Sequence, residues 1–161
     1  MPYTLYICLL LILMAYVYSY YLHPAVPEIL QVSSDKFQDT ILLDKQPVVV
    51  EDGGAGFMRR MLSTFTITNN QIQPPTVSEW HKNKYKFLAI QAGDKQDVLV
   101  CPATIKRDES GAPVNESSIL AFRMSPGQTL IIPFHWLYYF PTPDGNQAIA
   151  GIHDVITYFL P

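Results

Sequence analysis

The hydrophobic and polar positions divide the chain into a short apolar segment and a longer segment of mixed character. Residues 3–22 carry no charged side chain, and all eleven basic and fourteen acidic side chains of the chain follow them. A helix of this length extends about 30 Å, which is the thickness of the hydrocarbon core of a bilayer. The pattern therefore predicts a transmembrane anchor over residues 1–23, with the rest of the chain attached to it.

The composition of this segment is typical of a retained anchor, with aliphatic residues for the hydrocarbon core and tyrosines for the interface. The residues expected to anchor the chain are Leu9, Leu10, Leu11, Ile12, Leu13, Tyr16, Tyr18, Tyr20 and Tyr21. A cleaved signal peptide is the alternative, with Val17 and Ser19 as small residues before the cut. No Lys or Arg precedes Lys36, which is atypical of a signal peptide and leaves the orientation of the span unassigned.

Short β-type segments dominate the chain after residue 23. Two prolines make residues 24–27 a stiff linker, and residues 28–161 are long enough for one domain with a hydrophobic core. Apolar or β-branched runs that alternate with turns predict strands over residues 28–32, 47–50, 85–91, 98–106, 120–124, 129–140 and 148–159. This spacing is typical of a β-sandwich or a small barrel.

Two short helices and a polar loop complete the predicted fold. One helix begins at Ser34, and a second follows the glycine-rich break at residues 53–56, with Phe57 and Met61 on its apolar face. Residues 68–76 are expected to be a polar loop. The prediction is a mainly β protein, in which a transmembrane helix precedes a small jelly-roll or β-sandwich domain with two short helices.

An almost uninterrupted apolar run at residues 130–140 departs from the alternation of a half-exposed strand. Both faces of this segment must therefore be covered. In one interpretation the core covers both faces; in the other, one face docks a partner protein or the membrane surface through aromatic anchors. The apolar residues 158–161 would extend such a surface. The docking candidates are Phe134, Trp136, Tyr138, Tyr139 and Phe140.

The charge and the cysteine content argue against a nucleic-acid-binding protein and against a fold held by internal disulfides. The net charge is −3 and no basic stripe is present, so nucleic acid is not expected as a partner. Cys8 lies in the predicted anchor and Cys101 in the domain, so no disulfide is expected between them. Residues 115–117 (NES) form a glycosylation sequon, which matters only if the domain faces a secretory lumen.

Two motifs resemble the cupin-like domains of the JmjC type. Residues 32–37 (VSSDKF) and 45–50 (KQPVVV) resemble the opening of that family, in which a helix with a buried Phe leads into a strand. Residues 125–136 (SPGQTLIIPFHW) resemble the strand pair late in its double-stranded β-helix. The resemblance implies a cupin-like jelly roll over residues 28–161.

The same resemblance argues against the family's usual chemistry. Active members hold iron with an HxD/E pair and a later histidine, and they use 2-oxoglutarate. In this chain Tyr138 stands at the position of the later ligand, and residues 81–83 (HKN) end in an amide. His153 and Asp154 are neighbours on a predicted strand, so they would point to opposite faces. No catalytic residue, metal or cofactor is therefore predicted.

Three further groups receive structural interpretations. The glycines of residues 53–56 precede Arg59 and Arg60, but neither the phosphate-loop nor the dinucleotide pattern is present, so a turn is preferred to a phosphate site. Cys101 has no histidine near it in the sequence and is interpreted as a small buried hydrophobe. His135 is interpreted as a strand residue at the rim of the jelly roll.

A degenerate jelly roll on a membrane tether is similar in plan to the membrane-anchored minor capsid and virion proteins of large DNA viruses. That similarity implies a structural or scaffolding role in a virion membrane, with the lipid bilayer and capsid proteins as partners. Two alternatives stay open. One is a membrane-bound oxygenase of the 2-oxoglutarate type with a pocket near His81, His135 or His153; the other is a cupin that binds a small ligand in an open barrel. Protein docking predicts a filled barrel instead.

Overall fold

A computed structural model describes residues 2–18, 28–65, 68–109, 111–143, 146–154 and 157–158. Within these ranges the chain forms two α-helices and ten strands, so the prediction of a mainly β fold is confirmed. The helices are α1 (Pro2–Val17) and α2 (Ala55–Phe65), with 3-10 helices at Asp39–Asp44 and Glu116–Ser118. The strands are β1 (Leu30–Val32), β2 (Val48–Val50), β3 (Thr68–Ile72), β4 (His81–Lys82), β5 (Phe87–Ala92), β6 (Gln96–Pro102), β7 (Leu120–Met124), β8 (Thr129–Pro133), β9 (Trp136–Tyr139) and β10 (Gln147–His153).

The strands form a six-stranded and a four-stranded sheet. The first has the order β1-β2-β8-β5-β10-β3 and the second the order β4-β9-β6-β7. The β1–β2 pair is parallel, and the other paired strands run antiparallel. From β5 to β10 the chain passes repeatedly from one sheet to the other, and this arrangement is compatible with a jelly roll.

Apolar side chains fill the space between the two sheets. Inward-facing residues of both sheets form one continuous cluster, to which β5 contributes three members and β6, β8 and β9 two each. Its buried members are Val49, Leu88, Ile90, Ala92, Val98, Val100, Met124, Leu130, Ile132, Trp136, Tyr138, Phe140 and Ile149. The interior of the sandwich is therefore a packed core in the part of the chain that the structure describes.

A second apolar cluster lies on the outer face of the six-stranded sheet. The helix α2 and the 3-10 helix at Asp39–Asp44 cover this face, and Phe57, Met61 and Leu42 are buried against the sheet. For this reason β2 and β8 are buried on both faces and lack polar alternation. The interpretation of residues 130–140 as core on both sides is confirmed for β8.

Two elements differ from the sequence prediction. Residues 68–72 form β3, although the sequence predicts a polar loop there. The strand forms because its backbone pairs with β10, and the polar sequence of this segment gives no local sign of that pairing. No α-helix begins at Ser34. Its backbone N–H and its hydroxyl both donate to the carboxylate of Asp52, and the helical turn forms later, at Asp39–Asp44, as a 3-10 helix.

The helix α1 covers sixteen residues of the predicted anchor. In the described part of the chain, no helix combines the length and the apolar character that crossing a bilayer requires. The side chains of Leu9, Leu10, Leu11, Ile12, Leu13, Tyr16 and Tyr18 are all exposed, with Ile12 at 66%. Tyr20 and Tyr21 lie outside the described residues.

Candidate functional site

Most of the chemistry-bearing residues that the sequence suggests lie at one end of the sandwich. Pairing of β4 with β9 brings His81 opposite Tyr138. The starts of β5 and β9 and the ends of β8 and β10 lie at the same end, because Phe87 pairs with both Pro133 and Ile152. We call this the histidine end, and it consists of His81, Tyr85, His135, Tyr138 and His153.

The rings of His81 and Tyr138 lie next to each other at the mouth of the sandwich. Their centroids are 5.4 Å apart and the planes are inclined by 28°. Burial, with a further contribution from Tyr85, raises the pKa of Tyr138 to about 12, so the phenol keeps its proton at neutral pH. A neutral phenol therefore occupies the position at which the family resemblance expects an iron-binding histidine.

Asn83 holds the adjacent turn together. Its Nδ2 donates hydrogen bonds to the carbonyl oxygens of Ile132 (2.9 Å) and Pro133 (2.8 Å), and its Oδ1 accepts one from the N–H of Tyr85 at 2.9 Å. The side chain is buried, so each of these bonds satisfies a group that water does not reach. An amide donates and accepts at once, which an ionised carboxylate cannot do. The structure thus gives a packing reason for the amide at this position.

Tyr85 and His153 fill the rest of this end. The Tyr85 ring packs on Gly151, where a Cβ atom would overlap the ring atoms Cδ1 and Cε1. Its centroid lies 4.7 Å from that of His153, which is 8% exposed. Among the described residues, Nδ1 of His153 and Nε2 of His81 are buried without a hydrogen-bond partner.

Asp154 is engaged in structural contacts beside His153. Its carboxylate accepts hydrogen bonds from the backbone N–H and the hydroxyl of Thr157, and it lies 3.2 Å from the ammonium of Lys86. Burial opposes the charged form of Asp154, but the contacts with Thr157 and Lys86 outweigh it and lower the pKa. Tyr16 of α1 also donates to this carboxylate, at 3.4 Å.

His135 lies in the β8–β9 turn, and its expected place in a strand is wrong. Its φ of 66° is in the left-handed region, which histidine enters more readily than most side chains. The turn is fixed because the N–H of His135 donates to the carbonyl of Asn83 and its own carbonyl accepts from Ala103. Burial, with a contribution from Lys82, lowers the pKa of His135.

The histidine end does not provide a metal centre in the described part of the chain, where no three His, Cys, Asp or Glu side chains come together in a suitable group. The three histidines share one end of the sandwich, where rings pack against each of them and Glu79 lies 4.0 Å from His81. Iron coordinated as in the cupin-like oxygenases therefore does not fit these described residues.

The predicted docking patch is wrong for three of its five members. Trp136 and Phe140 are each 1% exposed and Tyr138 is 9% exposed, because all three point into the core between the sheets. The indole N–H of Trp136 donates to the carbonyl of Lys45 at 2.9 Å. The sequence pattern could not separate the two faces of β9, since both are apolar. Phe134 and Tyr139 are partly exposed.

Two other predicted positions have clear structural roles. Cys101 is fully buried, and this burial raises the pKa of its thiol to about 11, in agreement with its interpretation as a small hydrophobe. Between residues 34–39 and α2 lies a surface pocket of about 240 Å³. Asp35 and Asp39 line this pocket together with Arg60, so its charge does not favour phosphate.

Comparison with known proteins adds no assignment: no protein-family model matches the chain, and no curated sequence matches it.

Proposed function

We propose that this protein is a membrane-anchored structural or scaffolding protein without catalytic activity of its own. The observation that carries the proposal is α1, which contains no charged residue and carries apolar side chains on every side. A helix that is apolar all round is stable in the core of a large protein or in a bilayer. Since the α1 side chains are exposed, we infer that lipid covers them and that the anchor continues through residues 1–23.

The absence of catalysis is inferred from the packed interior and from the histidine end. Thirteen buried side chains fill the space in which a cupin would hold a cofactor, and Tyr138 stands where an iron ligand is expected. The strand order supports a cupin-like jelly roll for residues 28–161. Stoichiometric iron in the full chain, purified without chelator, would instead favour the alternative of an oxygenase. A retained small molecule would favour a ligand-binding cupin.

The outer face of the four-stranded sheet supports a protein-binding role. The six-stranded sheet is covered by α2, whereas among the described residues no helix covers this second outer face. Tyr139 is partly exposed here, and its ring lies 5.3 Å from that of Trp80. Aromatic residues of this kind are frequent anchors in interfaces. Capsid proteins beside a virion membrane are the concrete partner class that we propose.

Extraction with alkaline carbonate tests the anchor. We expect the full chain to stay with the membrane, whereas the double variant Leu10→Glu, Leu13→Glu appears in the supernatant. A charge near the centre of a span opposes insertion by about 2.5–3.5 kcal/mol. The matched control is Leu43→Glu, which changes a leucine that is equally exposed but lies in the 3-10 helix of the domain. Release of the unmodified chain would contradict the proposal.

A photo-crosslinking amino acid at position 139 tests the partner surface. We expect it to form a defined protein adduct in the membranes of the source cell or virion. The same amino acid at the exposed position Lys95, in the turn after β5, is the control. If positions 139 and 95 give equal amounts of adduct, or if position 139 gives none, the outer face of the four-stranded sheet is not the docking site.

A further inference from the structure

We propose that the histidine end faces the membrane and binds the anionic headgroups of phospholipids through Lys82, Lys84 and Lys86, which we call the lysine rim. This inference rests on the proposed membrane anchor. It adds the orientation of the domain and the lipid class that the domain contacts.

Two independent features put α1 and the lysine rim at the same end of the sandwich. The hydroxyl of Tyr16, near the C-terminal end of α1, donates to the carboxylate of Asp154, and Lys86 forms an ion pair with that same carboxylate. The chain also enters the six-stranded sheet at this end. Strand β1 is parallel to β2, and Lys45, just before β2, accepts the hydrogen bond of Trp136 beside the β8–β9 turn.

The lysine rim is a local concentration of positive charge on an acidic protein. Three of the eleven basic residues lie within residues 82–86, although the whole chain has a net charge of −3. The side chains of Lys82 and Lys84 are exposed. Two acidic groups lie at this end: Asp154, which is paired with Lys86, and Glu79, which lies 4.0 Å from His81.

The surroundings of these lysines suit a lipid interface. The ammonium of Lys84 lies 5.9 Å from the ring centroid of Tyr85, and that of Lys86 lies 5.8 Å from the ring of Phe87. Tyr158 adds a ring that is 52% exposed close to His153. Lysine stems and tyrosine rings pack at the level of the headgroups, where the ammonium reaches phosphate and the hydroxyl reaches water. The headgroups of acidic lipids attract each such lysine.

Amine labelling of the reconstituted full chain tests this inference. Bilayer nanodiscs are prepared from phosphatidylcholine alone or with added phosphatidylserine, and the acetylation rate of each lysine is measured by mass spectrometry. We expect labelling of Lys82 and Lys84 to slow about fivefold in the anionic bilayer, and to recover in high salt. Lys95 is exposed at the opposite end of the sandwich and should react equally in both bilayers.

A pair of variants tests the same surface by lipid composition. After extraction from mixed bilayers, the Lys82→Gln, Lys84→Gln protein should retain less phosphatidylserine than the parent chain, whereas Lys95→Gln should retain the same amount. If Lys82 and Lys84 are labelled equally fast in both bilayers, or if their slow labelling does not change with salt concentration, the charge-based contact with lipid is wrong. Neither result would contradict the membrane anchor. Failure of the full chain to enter nanodiscs at all would overturn the anchor itself.

Discussion

Two small features, an amide and a missing side chain, determine how the histidine end is packed. The side chain of Asn83 donates to the last two carbonyl groups of β8 and accepts from the N–H of Tyr85, so one side chain joins the end of β8 to the segment before β5. Gly151 of β10 has no side chain, and the Tyr85 ring occupies the space where a Cβ atom would lie. At the scale of residues, the mouth of the sandwich is therefore closed by packing and hydrogen bonds.

Replacement of Gly151 by alanine should destabilise the domain by about 1–3 kcal/mol, because the Tyr85 ring has to leave a position enclosed by β10 and His153. The free energy of unfolding is measured by denaturant titration of the full chain in detergent, followed by tryptophan fluorescence. Trp136 is a suitable reporter because it is buried in the core.

Gly54→Ala is the matched control for this variant. A Cβ atom at Gly54 would meet no atom within 4 Å, so the free energy of unfolding should change little. Equal destabilisation by the two variants would show that the loss of a glycine, and not the displacement of Tyr85, is responsible.

At the scale of elements, α2 explains why β2 and β8 of the six-stranded sheet have no polar face. Phe57, Met58 and Met61 of this helix are buried on the outer side of the sheet, while Arg59 is exposed to solvent. The helix therefore covers a face of the sheet that would otherwise be exposed to solvent. A two-sheet sandwich with one helical cover follows from this single amphipathic segment.

Met61→Ala should lower the free energy of unfolding by about 3 kcal/mol, because it leaves a cavity between α2 and the sheet. The neighbouring change Arg59→Ala removes an exposed side chain from the same helix and should cost less than about 0.5 kcal/mol. Thermal unfolding of both variants, compared with the parent chain, checks the difference. Similar losses would mean that α2 contributes through its helical propensity and not through burial.

The elements that could be predicted from the sequence are those with a strong local pattern. Three elements are predicted by their local pattern alone: β2 by its β-branched run, α2 by its amphipathic period and β7 by its alternation. Strand β3 is different because it consists mostly of polar residues and is held by its pairing with β10. Strand β4 is only two residues long. Such strands depend on a partner that is distant in the sequence, so local propensity does not reveal them.

At the scale of the whole molecule, burial of single positions on β6 and β9 places two weakly acidic groups in apolar surroundings. Cys101 and Tyr138 have pKa values raised by burial to about 11 and about 12. The sequence identified both residues, but it did not show which face of each strand they occupy. For β9, the face on which a side chain lies decides whether that side chain belongs to a docking surface or to the core. This face is defined only when the six-stranded sheet packs against β9.

These two groups predict a loss of stability at alkaline pH. The folded protein holds both protons more tightly than the unfolded chain, so stability is full below the ordinary pKa of the thiol near 9.0 and falls as the pH rises through about 11. Tyr138 continues the decline toward pH 12. Denaturant titrations across this range, with Cys101→Ala as control, measure the effect. An unchanged pH profile in that variant would exclude the thiol as a contributor.

The position of β10 in the six-stranded sheet has a consequence for how the protein is made. This strand lies between β3 and β5, although it is the last of the ten strands that the structure describes. Translation therefore completes α1, α2 and the other described strands before β10, so the sheet stays divided until residues 147–153 have left the ribosome. Pairings between distant segments form slowly and leave unpaired edges exposed meanwhile. The four-stranded sheet thus has all of its described strands available before the six-stranded sheet is able to close.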